Sequence, residues 1–180
     1  MRTSLIPHRD WPLPAVEAIA VEVGRPSRDA VTFRYEVTGR IGELKLPPTA
    51  APVRTDGLWR TTCFEAFLRP AGGAGYLEFN FSPSGEWAAY AFDAYREGMS
   101  PLEPLAPPAV ETVAGEGRLT VTAKLTVAGL AEGPWRLGLS AVVEDGAGAK
   151  GYWAAAHPPG KADFHHPDCF ALDLPEARVP

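Results

Sequence analysis

Trp59 and Glu65 stand six residues apart in the stretch DGLWRTTCFEAFL, residues 56–68. An indole can stack on the axial C–H face of a pyranose, and a carboxylate can accept hydrogen bonds from its hydroxyls. Strand alternation puts Cys63, Glu65 and Phe67 on one face and Phe64, Ala66 and Leu68 on the other. Both faces are largely apolar, so Glu65 is expected in a central, partly covered strand, where a charge needs partners. The segment YLEFNFSPSGEWAAYAFDAYREGM places Glu78, Asn80 and Ser82 on one face, with Trp87, Tyr90, Tyr95 and Arg96 soon after. Arg54 and Arg60 flank Trp59. The competing reading is structural, with the aromatic rings as sandwich packing and Glu65 ion-paired to Arg54 or Arg96.

A second group of chemistry-bearing side chains lies near the C-terminus: His157, Asp163, His165, His166 and Asp168. Zinc sites favour helical or knuckle spacing, and this proline-rich stretch has neither. Its side chains are expected to tie a loop to the sheet by hydrogen bonds, and no metal ligands are assigned. Glu65 and Glu78 are one candidate pair of glycosidase carboxylates. No G-x-S-x-G, P-loop or H-E-x-x-H motif is present, and the expectation is a non-catalytic domain.

The elements that must position these residues are strands. Val31, Phe33, Tyr35 and Val37 alternate with polar neighbours, as do Leu119, Val121, Ala123 and Leu125, and Leu77, Phe79 and Phe81. Further strands are predicted at 17–23, 41–46, 62–69, 87–93, 136–144, 150–156 and 169–173, and a short helix near 94–99. Turns are expected at Ser84-Gly85, at 70–75 and at 145–148, and a proline-rich crossover at 101–108. The predicted fold class is all-β, a two-sheet antiparallel β-sandwich over residues 1–180 as a single domain.

The bulk composition agrees: 18 Gly and 19 Pro among 180 residues punctuate the chain too often for long helices. The net charge of −5 and the scattered basic residues exclude a nucleic-acid footprint and an anionic-membrane partner. No apolar run approaches the about 20 residues of a bilayer span, and Pro7, His8, Arg9 and Asp10 interrupt any leader-like start. The expected location is the cytoplasm. Cys63 and Cys169 are expected as buried thiols.

Three stretches in order, DGLWRTTCFEAFL, YLEFNFSPSGEWAAYAFDAYREGM and GYWAAAHPPGKADFHHPDCFALDL, resemble the bacterial DOMON-like domain proteins, a group similar to the type 9 carbohydrate-binding modules. The resemblance runs from His8 to Leu174 and implies a two-sheet β-sandwich. It also implies a sugar end held between two Trp rings, with Glu65 six residues after Trp59. The second ring is Trp153 or Trp87, and Asn80 and Arg54 supply polar contacts. With His157, these form the candidate ligand-binding set. The secreted modules carry an export signal and a catalytic domain, and this chain shows neither, which points to a small saccharide or glycoside as partner. The resemblance further implies structural calcium on Asp163 and Asp168. As an alternative to sugar, it implies a non-covalent b-type haem held by Met99 and one of His157, His165 or His166. An interaction domain without small ligand is the third reading.

Overall fold

A computed structural model describes residues 1–103, 106–127 and 134–176. Twelve strands run β1 (Arg2–Pro7), β2 (Val16–Ser27), β3 (Ala30–Gly39), β4 (Cys63–Pro70), β5 (Tyr76–Phe81), β6 (Trp87–Phe92), β7 (Ser100–Pro101), β8 (Ala109–Gly115), β9 (Arg118–Thr126), β10 (Trp135–Glu144), β11 (Lys150–Ala154) and β12 (Leu172–Leu174). All named pairings are antiparallel. The first sheet has the order β1-β2-β3-β9-β8, and the second β7-β6-β5-β4-β10-β11-β1. The β1 strand belongs to both: Arg2–Leu5 pairs with β2, and Ile6–Pro7 pairs with β11. The result is the expected β-sandwich, curled through one shared strand.

The main core lies between the sheets. Val31, Phe33, Tyr35 and Val37 of β3 are fully buried against Phe64, Ala66, Phe79 and Phe81 of the facing sheet. Phe33 stacks on Phe81, and Tyr35 meets Phe64 at 5.1 Å between centroids. The alternation that predicted these strands is the alternation that fills this layer.

The second sheet is buried on both faces. Its outer face carries a smaller apolar cluster that includes Cys63, Phe67, Tyr76, Tyr90, Phe92, Val142 and Ala154, closed by Leu58, Phe164 and Phe170. Leu58 comes from a 3₁₀ turn (Leu58–Arg60), and the last two come from the irregular stretch between β11 and β12. Gly138 of β10 makes that cover possible. A Cβ there would lie 3.2 Å from the Cys169 carbonyl oxygen and 3.3 Å from Phe67 Cβ.

Three expectations are corrected. Residues 41–46 form no strand: Ile41 and Leu44, three apart, are both buried by a 3₁₀ turn (Ile41–Glu43), which an alternating strand would not do. The helix near 94–99 is a tight turn instead, in which Glu97 N donates to the Ala94 carbonyl and β7 follows. The strand at 169–173 begins later, because Pro167–Cys169 is a 3₁₀ turn whose N-cap His166 accepts from Asp168 N. Part of the proline-rich crossover, residues 104–105, lies outside the described residues. Among the described residues, no helix is long and apolar enough to cross a membrane.

Candidate functional site

A solvent-open cavity of about 400 Å³ lies on the outer face of the second sheet, between that sheet and the β11–β12 stretch. Its lining includes Trp59, Glu65, Glu78, Arg96, Tyr152 and His165, with Phe92, Met99 and Phe164 as further apolar wall. Strand residues make the floor, the 3₁₀ turn carrying Trp59 makes one wall, and residues 162–165 close the other side.

Strand register explains the floor. Glu65 of β4 pairs with Asn80 of β5 on one side and Ser140 of β10 on the other. Glu78 pairs with Phe67, so the two glutamates are diagonal neighbours on adjacent strands. Both are almost fully buried, at 3 % and 5 % exposure. Ser140 Oγ donates to Glu65 Oε2 at 3.1 Å, and Asn80 Nδ2 donates to Glu78 Oε1 at 2.7 Å. The Tyr35 hydroxyl crosses the main core to donate to the Glu65 carbonyl at 2.6 Å, which fixes the backbone beneath the acid.

Burial first, and then the Glu78 charge, push the Glu65 carboxyl up to about 8. The Ser140 hydrogen bond and the Arg96 charge act in the opposite direction. Burial likewise raises Glu78, against the Asn80 hydrogen bond and the Arg96 charge. The floor therefore favours holding protons when nothing else compensates its charge.

His165 is a third polar group of the site, partly buried at 16 % side-chain exposure. Burial, then the Arg96 charge, lower it to about 4, so the ring is neutral at neutral pH. The Tyr76 hydroxyl lies 2.8 Å from His165 Nδ1 and also accepts from Arg96 N at 3.2 Å. With one acceptor position taken by that N–H, we assign the hydroxyl as the donor to Nδ1, which puts the ring proton on Nε2. Nε2 faces Glu78 Oε2 at 3.8 Å, beyond hydrogen-bond reach.

Arg96 sits at φ 57°, a left-handed conformation that costs a branched-free L-residue about 1 kcal/mol. Its Nη2 donates to Asp163 Oδ1 at 2.7 Å, and the Tyr95 hydroxyl donates to Asp163 Oδ2. Asp163 Oδ1 also accepts from His165 N at 3.2 Å. The carboxylate thus clasps the cover to the 95–96 turn. Asp163 is committed to these donors, and among the described residues no three His, Cys, Asp or Glu converge as metal ligands. The arrangement does not fit a calcium site built on Asp163 and Asp168.

The structure brings Trp59 and Glu65 into one cavity and leaves the other expected contacts outside its lining. Trp153 and Trp87 are 5 % and 4 % exposed and belong to the inter-sheet core. Strand parity decides this: Trp153 points inward, and Tyr152, one residue earlier, lines the cavity. The Arg54 guanidinium lies over the Trp87 ring at 4.8 Å and donates to the Leu102 carbonyl, with Glu103 at 3.2 Å, so neither a cavity contact nor an ion pair to Glu65 is formed. Asn80 lies beneath the lining as the support of Glu78. His157 Nε2 bonds the Ile6 carbonyl at 2.8 Å and its ring meets His8 edge-on, which ties the cover to β1 as the loop-anchoring reading expected. Tyr152 and Phe164 line the cavity without having been expected there, and His165, expected only as a haem ligand, lines it too. For Tyr152 the parity of β11 was the available signal. The cover has no periodicity to read.

No known protein family matches the chain, and no curated protein does. Among solved structures it is similar to a proposed carbohydrate-binding protein from Bacteroides uniformis ATCC 8492, at TM-score 0.66 and 15 % identity, covering 94 % of this chain and 83 % of that one. The two share a fold. A carbohydrate binding module family 9 from Caldicellulosiruptor kristjanssonii, in complex with glucose, matches at TM-score 0.47 and 11 % identity over 83 % of this chain and 75 % of that one.

Proposed function

We propose that this domain is a non-catalytic carbohydrate-binding module that holds a small saccharide or glycoside in the cavity of the second sheet. The observation that carries the reading is the meeting of Trp59 and Glu65, 37 % and 3 % exposed, in one open cavity of about 400 Å³. That volume suits a small ligand. The indole of Trp59 supplies a platform for a sugar ring, and Glu65, Glu78 and His165 Nε2–H supply acceptors and a donor for its hydroxyls. A binding role suits the acids better than hydrolysis. Both rise from one floor on adjacent strands, whereas glycosidase carboxylates flank the scissile bond. A glycan array followed by calorimetry tests the proposal: a saccharide that binds the parent and fails to bind Trp59→Ala supports it. No binder, or binding untouched by that change, refutes it.

One observation favours a second reading. Met99 and His165 line the same cavity, and in the tautomer that carries the ring proton on Nδ1, donated to the Tyr76 hydroxyl, Nε2 would be available as a ligand, so these two residues would hold a non-covalent haem. Such a group would supply redox or gas-binding chemistry. Adding haem to the purified protein and looking for a Soret band separates the two readings.

A further inference from the structure

We infer that the cavity selects an amine-bearing, cationic saccharide over its neutral and anionic counterparts, with the ammonium seated between Glu65 and Glu78. This rests on the saccharide reading and narrows its ligand class. The argument begins with charge. The lining holds two acids, Glu65 and Glu78, one guanidinium, Arg96, and one imidazole, His165. Arg96 is already bonded to Asp163 at 2.7 Å, outside the lining set. The His165 ring meets the Tyr76 hydroxyl through Nδ1 and is held neutral by its partial burial and then by the Arg96 charge. The lining therefore presents two acids against a single guanidinium, whose charge is shared with Asp163.

Hydrogen-bond capacity points the same way. A carboxylate offers about four acceptor sites. Ser140 uses one on Glu65 Oε2, and Asn80 uses one on Glu78 Oε1. Glu78 Oε2 has His165 Nε2 at 3.8 Å, too far to bond. An ammonium brings three donors and the missing positive charge together, where a hydroxyl brings one donor and no charge. The walls agree with the floor. Trp59, Phe92, Tyr152 and Phe164 enclose the space above the acids, and aromatic faces attract cations. A sugar acid would meet two carboxylates at the same place.

The test is calorimetry of the full chain at pH 7 with glucosamine, glucose, N-acetylglucosamine, glucuronic acid and cyclohexylamine. Acetylation keeps the nitrogen and removes its charge, so that comparison isolates the ammonium. The expected result is glucosamine binding about tenfold or more tighter than glucose and N-acetylglucosamine, with glucuronic acid weakest. In Glu78→Gln and Glu65→Gln the ratio of glucosamine to glucose affinity should collapse toward one, with glucose binding itself weakened by the altered acceptor. Each change removes a buried ionisable carboxyl and keeps the side-chain shape, so thermal melting should show a folded protein. Equal affinities for glucose and glucosamine, or a preference unchanged in both variants, overturn the inference and leave the saccharide reading standing. Cyclohexylamine binding without response to any sugar overturns the saccharide reading and this inference with it. Silence from all five compounds does the same.

Discussion

The hydroxyl of Tyr76 and Nδ1 of His165 lie 2.8 Å apart, and that contact sets which nitrogen of the ring carries the proton. The hydroxyl also accepts from Arg96 N, and we assign its own proton to the bond with the imidazole. The Nε2–H tautomer follows, with its N–H directed toward the Glu78 side of the cavity. Tyr76→Phe removes the donor. Long-range proton–nitrogen NMR correlations should show a single Nε2–H tautomer in the parent and a mixture in the variant. A parent ring protonated at Nδ1 contradicts this assignment. The expected cost in ligand affinity is about three- to tenfold, that of one misplaced donor.

Trp59 lies on a surface turn, 37 % exposed, with its ring edge-on to Tyr90 at 6.1 Å. Truncation there should change stability by less than about 1 kcal/mol, as for a partly exposed residue off the main core. Binding should fall by about tenfold or more, because a central aromatic platform is lost. Thermal melting and calorimetry on the same sample of Trp59→Ala read both effects.

Trp87 and Trp153 should behave in the opposite sense. Each fills the space between the sheets, and Trp→Ala at such a position costs about 3–5 kcal/mol. Urea unfolding of Trp153→Ala should show that loss. If Trp153→Ala were stable and simply failed to bind ligand, the placement of this ring in the core would be wrong.

Glu65 gives a pH dependence with a definite sign. Its folded value of about 8 lies above the ordinary 4.5, so the folded protein binds this proton more tightly than the unfolded chain does. Its contribution to stability is fully present below 4.5 and is lost as pH climbs toward 8. The groups facing it are Glu78, Arg96, Ser140, Cys63 and Tyr35. Glu65→Gln removes this slope. At pH 9 it should exceed the parent by on the order of 5 kcal/mol, from about 1.4 kcal/mol per pK unit. Denaturant titrations of both proteins between pH 4 and 9 check it, and parallel curves would show that Glu65 does not carry the proton.

The sandwich was legible because its strands obey one rule. Val31 to Val37 and Leu119 to Leu125 are apolar inward and polar outward, and a sheet with one wet face writes that rule into the chain. The segment 62–69 obeys a different one, since β4 is covered on both sides. Its parity placed Glu65 opposite Phe64 but did not say which side of the sheet opens to solvent. The resemblance supplied the side for Trp59 and the wrong partner for it in Trp153, whose parity puts it inside. Ile41 and Leu44 misled for a local reason, because a turn and a strand both suit a short mixed stretch. The cover over the cavity was unreadable, since Phe164 packs on Tyr152, His165 bonds Tyr76 and Phe170 meets Tyr76 and Phe67, and no repeating pattern encodes these contacts.

The floor of the cavity belongs to the hydrogen-bonded ladder, while its cover is one contiguous stretch between β11 and β12, pinned at His157, Asp163 and Cys169. Those pins divide the engineering problem. Side chains between them, Ala162, Phe164 and His165 among them, can be varied in a small combinatorial library without disturbing a single inter-strand bond. The cover is therefore an exchangeable cassette on a fixed chassis, and one wall of the cavity can be re-tuned by diversifying that stretch while Trp59, Glu65 and Glu78 stay in place.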